Sequence, residues 1–118
     1  MTAQEAFDKV VAHFKENPTP CVTGKTGTYK KGEHCCFVGT VLQATRKYRP
    51  HFEGQRIDTL FSSGKLNLKF DDLSTAESER LLRDLQEAHD GAALYSFKEH
   101  AARRLRNIAE LYDLECSL

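Results

Sequence analysis

Apolar residues recur at helical spacing along most of this chain. Ala6, Phe7, Val10, Val11 and Phe14 make one stripe. The Thr2-x-x-Glu5 capping box opens that helix and Asn17-Pro18 closes it. His34–Gln43 is the most apolar run and predicts a central helix over about 36–46. Phe37, Val38, Val41 and Leu42 form its bulky side. Cys36, Gly39, Thr40 and Gln43, at i, i+3, i+4 and i+7, form a small one. Such a helix packs on both faces, and its small face lets a backbone, a helix or a ligand come close. Ile57, Leu60 and Phe61 predict a short helix over 56–62 with Gly64 as its left-handed stop. A second capping box, Ser74 with Glu77, starts a helix carrying Leu81, Leu82, Leu85 and Ala88 inward. There Arg80–Asp84 and Arg83–Glu87 pair outward, and Gly91 is the stop. Ser96 and Glu99 repeat the box before a stripe of Ala101, Ala102, Leu105, Ile108, Ala109 and Tyr112. Residues 113–118 are a short tail.

Elsewhere the period changes. Thr26–Tyr29 and Glu33–Cys35 read as a small β-hairpin across Lys30-Lys31-Gly32. Residues 48–54, with Pro50 and Gly54, read as a loop. Lys65–Phe70 alternates polar and apolar, a strand signal. There is no repeat, low-complexity segment or linker. The expected fold is mainly α, four to five helices around a central buried helix with a small β-hairpin, in a single domain over 1–118.

Composition changes this picture little. Apolar content is 40% and charged content 29%, the profile of a globular protein with a real core. Seventeen basic and 17 acidic residues cancel, which disfavours duplex nucleic acid as a partner. No apolar run approaches the roughly 18 residues of a membrane span, and the N-terminus is not a secretory signal. Cys21, Cys35, Cys36 and Cys116 are therefore read as free thiols in a reducing cytoplasm.

Four constellations carry potential chemistry. His34, Cys35, Cys36, Cys21 and His89 offer metal-binding types, but no Cys-x-x-Cys pair places two ligands on one turn, so no metal and no cofactor are assigned. Cys36 at a helix start, with His89 and Asp90 elsewhere, is the catalytic set if the protein is a cysteine-dependent enzyme. Gln86 and His89, one turn from Leu82 and Leu85, border the buried stripe as the polar wall of a pocket or as ordinary amphipathic edge. Lys25, Lys30 and Lys31 sit on a Gly-rich loop. Arg103, Arg104 and Arg106 follow on the last helix. Gly24-Lys25-Thr26 lacks the first glycine of a P-loop at the right distance, but exposed amides and lysines can still cradle a phosphate.

The order of features resembles a family of small bacteriophage and bacterial proteins for which no activity is established. The likeness rests on Tyr29-Lys30-Lys31-Gly32, Cys36-Phe37-Val38-Gly39, Tyr48-x-Pro50 with Glu53-Gly54, and above all Leu82-Arg83-Asp84-Leu85-Gln86-Glu87-Ala88-His89-Asp90. Ile108–Leu114 closes it. Phe37 stands where that family has a small residue, and Cys35 and residues 65–80 depart from its pattern. The resemblance implies a phage or mobile-element origin and a helical outline, and no mechanism.

Together these readings favour a non-enzymatic binding protein, a phage or mobile-element accessory or counter-defence factor that sequesters an anionic small ligand such as a signalling nucleotide. Lys25, Lys30, Lys31, Arg103 and Arg106 would supply charge. Tyr29 would stack on a base, and Gln86 and His89 would hydrogen-bond to it. The alternatives are an inhibitor or adaptor docking on a host protein through Tyr48, Phe52 and Phe61, and a cysteine-dependent hydrolase. The small helix face suits a homo-oligomer as well as a core, so oligomeric state stays open.

Overall fold

A computed structural model describes residues 1–21, 29–31, 34–92 and 96–118, with Lys31 and His34 described by backbone alone. Among the described residues the chain is helical: α1 (Ala3–Glu16), α2 (Phe37–Ala44), α3 (Ile57–Ser62), α4 (Thr75–Ala92) and α5 (Phe97–Leu111), with a 3-10 turn at Pro50–Phe52. α2 is the centre. It lies against α1 on one side and α4 on the other, and α4 in turn holds α3 and α5.

Two of the three expected capping boxes form. Thr2 Oγ1 accepts from the Glu5 amide at 3.1 Å, and Glu5 Oε1 accepts from the Thr2 amide at 2.8 Å. Ser74 and Glu77 do the same at 3.1 and 3.0 Å. Each satisfies amide donors that a helix start leaves orphaned. The third does not form. Ser96 has φ −64 and ψ 84, outside the extended conformation that aims a capping hydroxyl, and its side chain makes no cap bond. Cys36 caps α2 instead, its Sγ accepting from the Gly39 amide at 3.2 Å.

The core runs from Phe7 and Phe14 on α1 through Phe37, Val38 and Leu42 on α2 to Leu81, Leu82, Leu85 and Leu105. Each such side chain contributes about 1.5–3 kcal/mol by burial. At its middle the rings of Phe14, Phe37, Phe97 and His89 form one cluster. Phe37 meets His89 edge-on at 5.2 Å and Phe14 at 6.0 Å. The small face of α2 receives a backbone. A Cβ on Gly39 would stand 1.8 Å from the Tyr29 carbonyl oxygen, which accepts from the Cys36 amide at 3.2 Å.

Three expectations are corrected. The hairpin of Thr26–Tyr29 with Glu33–Cys35 is not what forms. Residues 26–28 and Glu33 lie outside the described residues, and the pairing seen is a two-residue antiparallel ladder of Lys30 with Cys35 and Lys31 with His34. Lys65–Phe70 is no strand. Leu66, Leu68 and Phe70 are buried as alternation expects, but the Leu66 amide goes to the Leu60 carbonyl and the Phe70 amide to Ser78 Oγ at 3.0 Å. Nor do Arg80–Asp84 and Arg83–Glu87 pair. Arg83 Nη1 turns to Glu79 Oε2 at 3.4 Å, and Asp84 accepts from the Tyr112 hydroxyl at 2.7 Å.

The C-terminal tail folds back on α1. Gln4 Oε1 accepts from the Glu115 amide at 2.8 Å and Gln4 Nε2 donates to the Glu115 carbonyl at 3.0 Å.

Candidate functional site

α4 brings two kinds of polar surface together. Its inner edge carries a continuous hydrogen-bond chain. The Cys21 amide donates to His89 Nε2 at 3.0 Å, which puts the ring proton on Nδ1, 3.0 Å from Asp90 Oδ1. Gln86 Nε2 donates to Asp90 Oδ2 at 2.9 Å, and the Cys36 thiol lies 3.5 Å from Gln86 Oε1. The chain thus ties the segment at Cys21, the end of α4 and the start of α2 into one unit.

The outer edge of α4 lines an open cavity of about 420 Å³ between α3, α4 and α5. Its walls carry three arginines (Arg56, Arg83, Arg104) and three carboxylates (Asp58, Glu87, Asp90), with Gln86 and Ile57 between them. Tyr29 closes the inner end. Arg56 Nε pairs with Asp58 Oδ1 at 3.3 Å, and Arg83 is turned outward to Glu79. Arg104 is different. Its Nε is buried with no hydrogen-bond partner among the described residues. Its guanidinium lies on Gly91, where a Cβ would come within 2.6 Å of Nη1 and 2.9 Å of Cζ. Gly91 therefore sits inside the last turn of α4, correcting its expected role as the stop. Its missing side chain is the guanidinium's seat. The partial negative charge at the end of α4 favours a cation there. A smaller cavity of about 230 Å³ continues past Arg104 and Glu87 to Leu111.

The residues expected from sequence are distributed unevenly. Gln86 and Tyr29 border the main cavity, with Asp90 beside them. Tyr29 is fully buried, however, and its hydroxyl donates to the Gln55 carbonyl, so no ring face is open for stacking. Burial is also the main cause that pushes its phenol up. His89 is 1% exposed with both ring nitrogens engaged, which corrects its expected contact with a ligand. Arg103 and Arg106 are exposed and face away from the cavity. Arg103 turns to His100 Nδ1 at 3.0 Å. Lys30 is exposed too, 5.9 Å from the Tyr48 ring centre. Lys25 lies outside the described residues, as does the side chain of Lys31.

The Cys36–His89–Asp90 set does not assemble as catalytic groups do. Cys36 is fully buried, and burial pushes its thiol up against the lowering effect of the Gly39 amide. His89 reaches Asp90 and Cys21, not the Cys36 sulfur. No substrate reaches such a thiol, and a protonated thiol is a poor nucleophile. Among the described residues no group of three or more His, Cys, Asp or Glu is placed to hold a metal ion. No described helix is long and apolar enough to cross a membrane. Phe52, expected on an exposed docking face, is 1% exposed in the core, with Tyr48 and Phe61 half-buried against it.

Two residues named in the sequence without a separate role stand out in the structure. Arg104 stands three residues after Ala101 and four before Ile108, so its position on the buried stripe separated it from Arg103 and Arg106. Glu53 holds the segment at Tyr29 in place: Oε1 accepts from the Tyr29 amide at 2.9 Å, and Oε2 from the Lys30 amide at 3.0 Å and the Tyr48 hydroxyl at 2.6 Å. No local pattern announces contacts across 24 residues.

No protein-family model, curated protein or solved structure matches this chain.

Proposed function

We propose that this chain is a binding protein that takes up an anionic small ligand, such as a signalling nucleotide, in the cavity between α3, α4 and α5. In this reading it is an accessory factor of phage or mobile-element origin acting in a bacterial cytoplasm. The supporting observation is Arg104: a guanidinium seated on Gly91 at a cavity wall, with a buried Nε that nothing satisfies. Leaving such a donor unpaired costs about 1–3 kcal/mol, more when it is charged, and an anion on the guanidinium relieves it. The cavity volume, about 420 Å³, falls at the small end of the range of about 300–1,000 Å³ typical of ligand sites. Calorimetric titration with a panel of mononucleotides and cyclic nucleotides tests the reading. The expected result is binding that Arg104→Gln weakens by about tenfold or more while the melting temperature holds. Absence of binding by every member overturns it.

One observation favours a second reading, a protein-docking surface. Leu111 is 71% exposed at the end of the smaller cavity, the large apolar side chain most open to solvent among the described residues. A stoichiometric host protein captured by the wild type and lost with Leu111→Lys would support it.

A further inference from the structure

We infer that the ligand of this cavity is dipolar, with an anionic group at the Arg104 end and an N–H-bearing group facing the carboxylates of Glu87 and Asp58. The inference rests on the proposed function and narrows its ligand class. Opposite charges line this cavity, and of these only Arg56 and Asp58 pair with one another among the described residues. Glu87 borders it beside Arg104, one helical turn before Gly91, yet forms no hydrogen bond or ion pair among the described residues, and neither does Arg104. Asp58 spends Oδ1 on Arg56 and on the Thr59 amide, leaving Oδ2 open. Gln86 is partly spent, with one amide N–H donating to Asp90 and its oxygen accepting from the Cys36 thiol. Unspent capacity is therefore left on a cation, Arg104, and on two acceptors, Glu87 beside it and Asp58.

An evenly anionic ligand would lie against Asp58, Glu87 and Asp90, where like charges repel. A ligand with an amine or amino-substituted ring at its far end turns those carboxylates into acceptors. A carboxylate that finds an N–H gains a charge-assisted bond; one that meets a carbonyl is left unpaired or repelled. The volume of about 420 Å³ favours a single phosphate-bearing unit over a dinucleotide. Two sources share this chemistry: nucleotides whose base carries an exocyclic amine, and small ammonium phosphates.

Paired probes separate them. Calorimetry on the full chain at fixed salt compares adenosine with inosine monophosphate, cytidine with uridine monophosphate, and phosphoethanolamine with glycerol phosphate. Within each pair the amine-bearing member is expected to bind tighter, on the order of tenfold. Glu87→Gln, at an exposed residue that makes no hydrogen bond among the described residues, should reduce that preference to within about twofold. Preference in a nucleotide pair assigns the first source. Preference only in the phosphoethanolamine pair assigns the second. Equal binding within every pair overturns the dipolar ligand and leaves the anion site standing. No binding by any probe removes both.

Discussion

Residues 86–91 of α4 carry two adjoining polar surfaces, and they behave oppositely. On the inner surface His89, Gln86 and Asp90 meet partners at every turn, from the Cys21 amide to the Cys36 thiol. On the outer surface Glu87, and Arg104 beside it on α5, meet none among the described residues, although Arg104 buries its Nε. Histidine and glutamine invite a functional reading by type, yet here they hold the molecule together. An arginine one place removed from the exposed pair Arg103 and Arg106 has the open chemistry. Residue type does not separate scaffold from site in this helix; unspent hydrogen-bonding capacity does.

That contrast is open to breakage by mutation. The largest expected effect is His89→Ala. It removes a ring packed between Phe37 and Phe97 and strands the Cys21 amide, and should lower stability by about 3 kcal/mol in urea denaturation. Arg104→Gln should leave it unchanged or raise it, since it removes a buried donor that has no partner among the described residues. Reversal of the two values would exchange scaffold and site. Gly39→Ala comes next. Its methyl group collides with the Tyr29 carbonyl, which cannot retreat while Glu53 holds the Tyr29 and Lys30 amides, so a loss of about 2 kcal/mol is expected in the same measurement.

The smallest effect sharpens the comparison at its margin, where Tyr48 and Glu53 are bonded but half-open to water. Burial, then the bond to Glu53, pushes the Tyr48 phenol from 10.0 up to about 12. A raised phenol pKa means the folded state holds its proton more tightly than the unfolded one. This contribution is intact below about pH 10 and lost as pH rises toward about 12. Denaturation midpoints across that window should fall in the wild type more steeply than in Tyr48→Phe.

Much of the frame was legible because helices announce themselves locally. The boxes at Thr2 and Ser74, the Asn17-Pro18 stop and the left-handed Gly64, with φ +74, depend on residues a turn apart. The small face of α2 was readable too, and of the backbone, helix or ligand it allowed, a backbone fills it. Residues 65–70 show the limit of periodicity. Alternation reports which side chains are buried, and Leu66, Leu68 and Phe70 are, but it says nothing about whether a partner strand lies alongside. The site was harder. Gln86 and Asp90 stood out, and Arg104 was hidden among neighbouring arginines because its distinction is a seat on Gly91, on another helix. Glu53 was invisible for the same reason: its partners are backbone amides that every residue offers.

The clasp of Gln4 on Glu115 has a consequence for assembly. It joins residues 111 apart through both amide groups of one side chain. Contacts of such long separation form late, after the entropy of closing the intervening chain has been lost to other contacts. During synthesis α1 precedes this partner and cannot engage it until Glu115 has emerged. Slow hydrogen exchange at the Glu115 amide is thus a mark of a finished molecule, distinguishing it from one whose helices have merely collapsed.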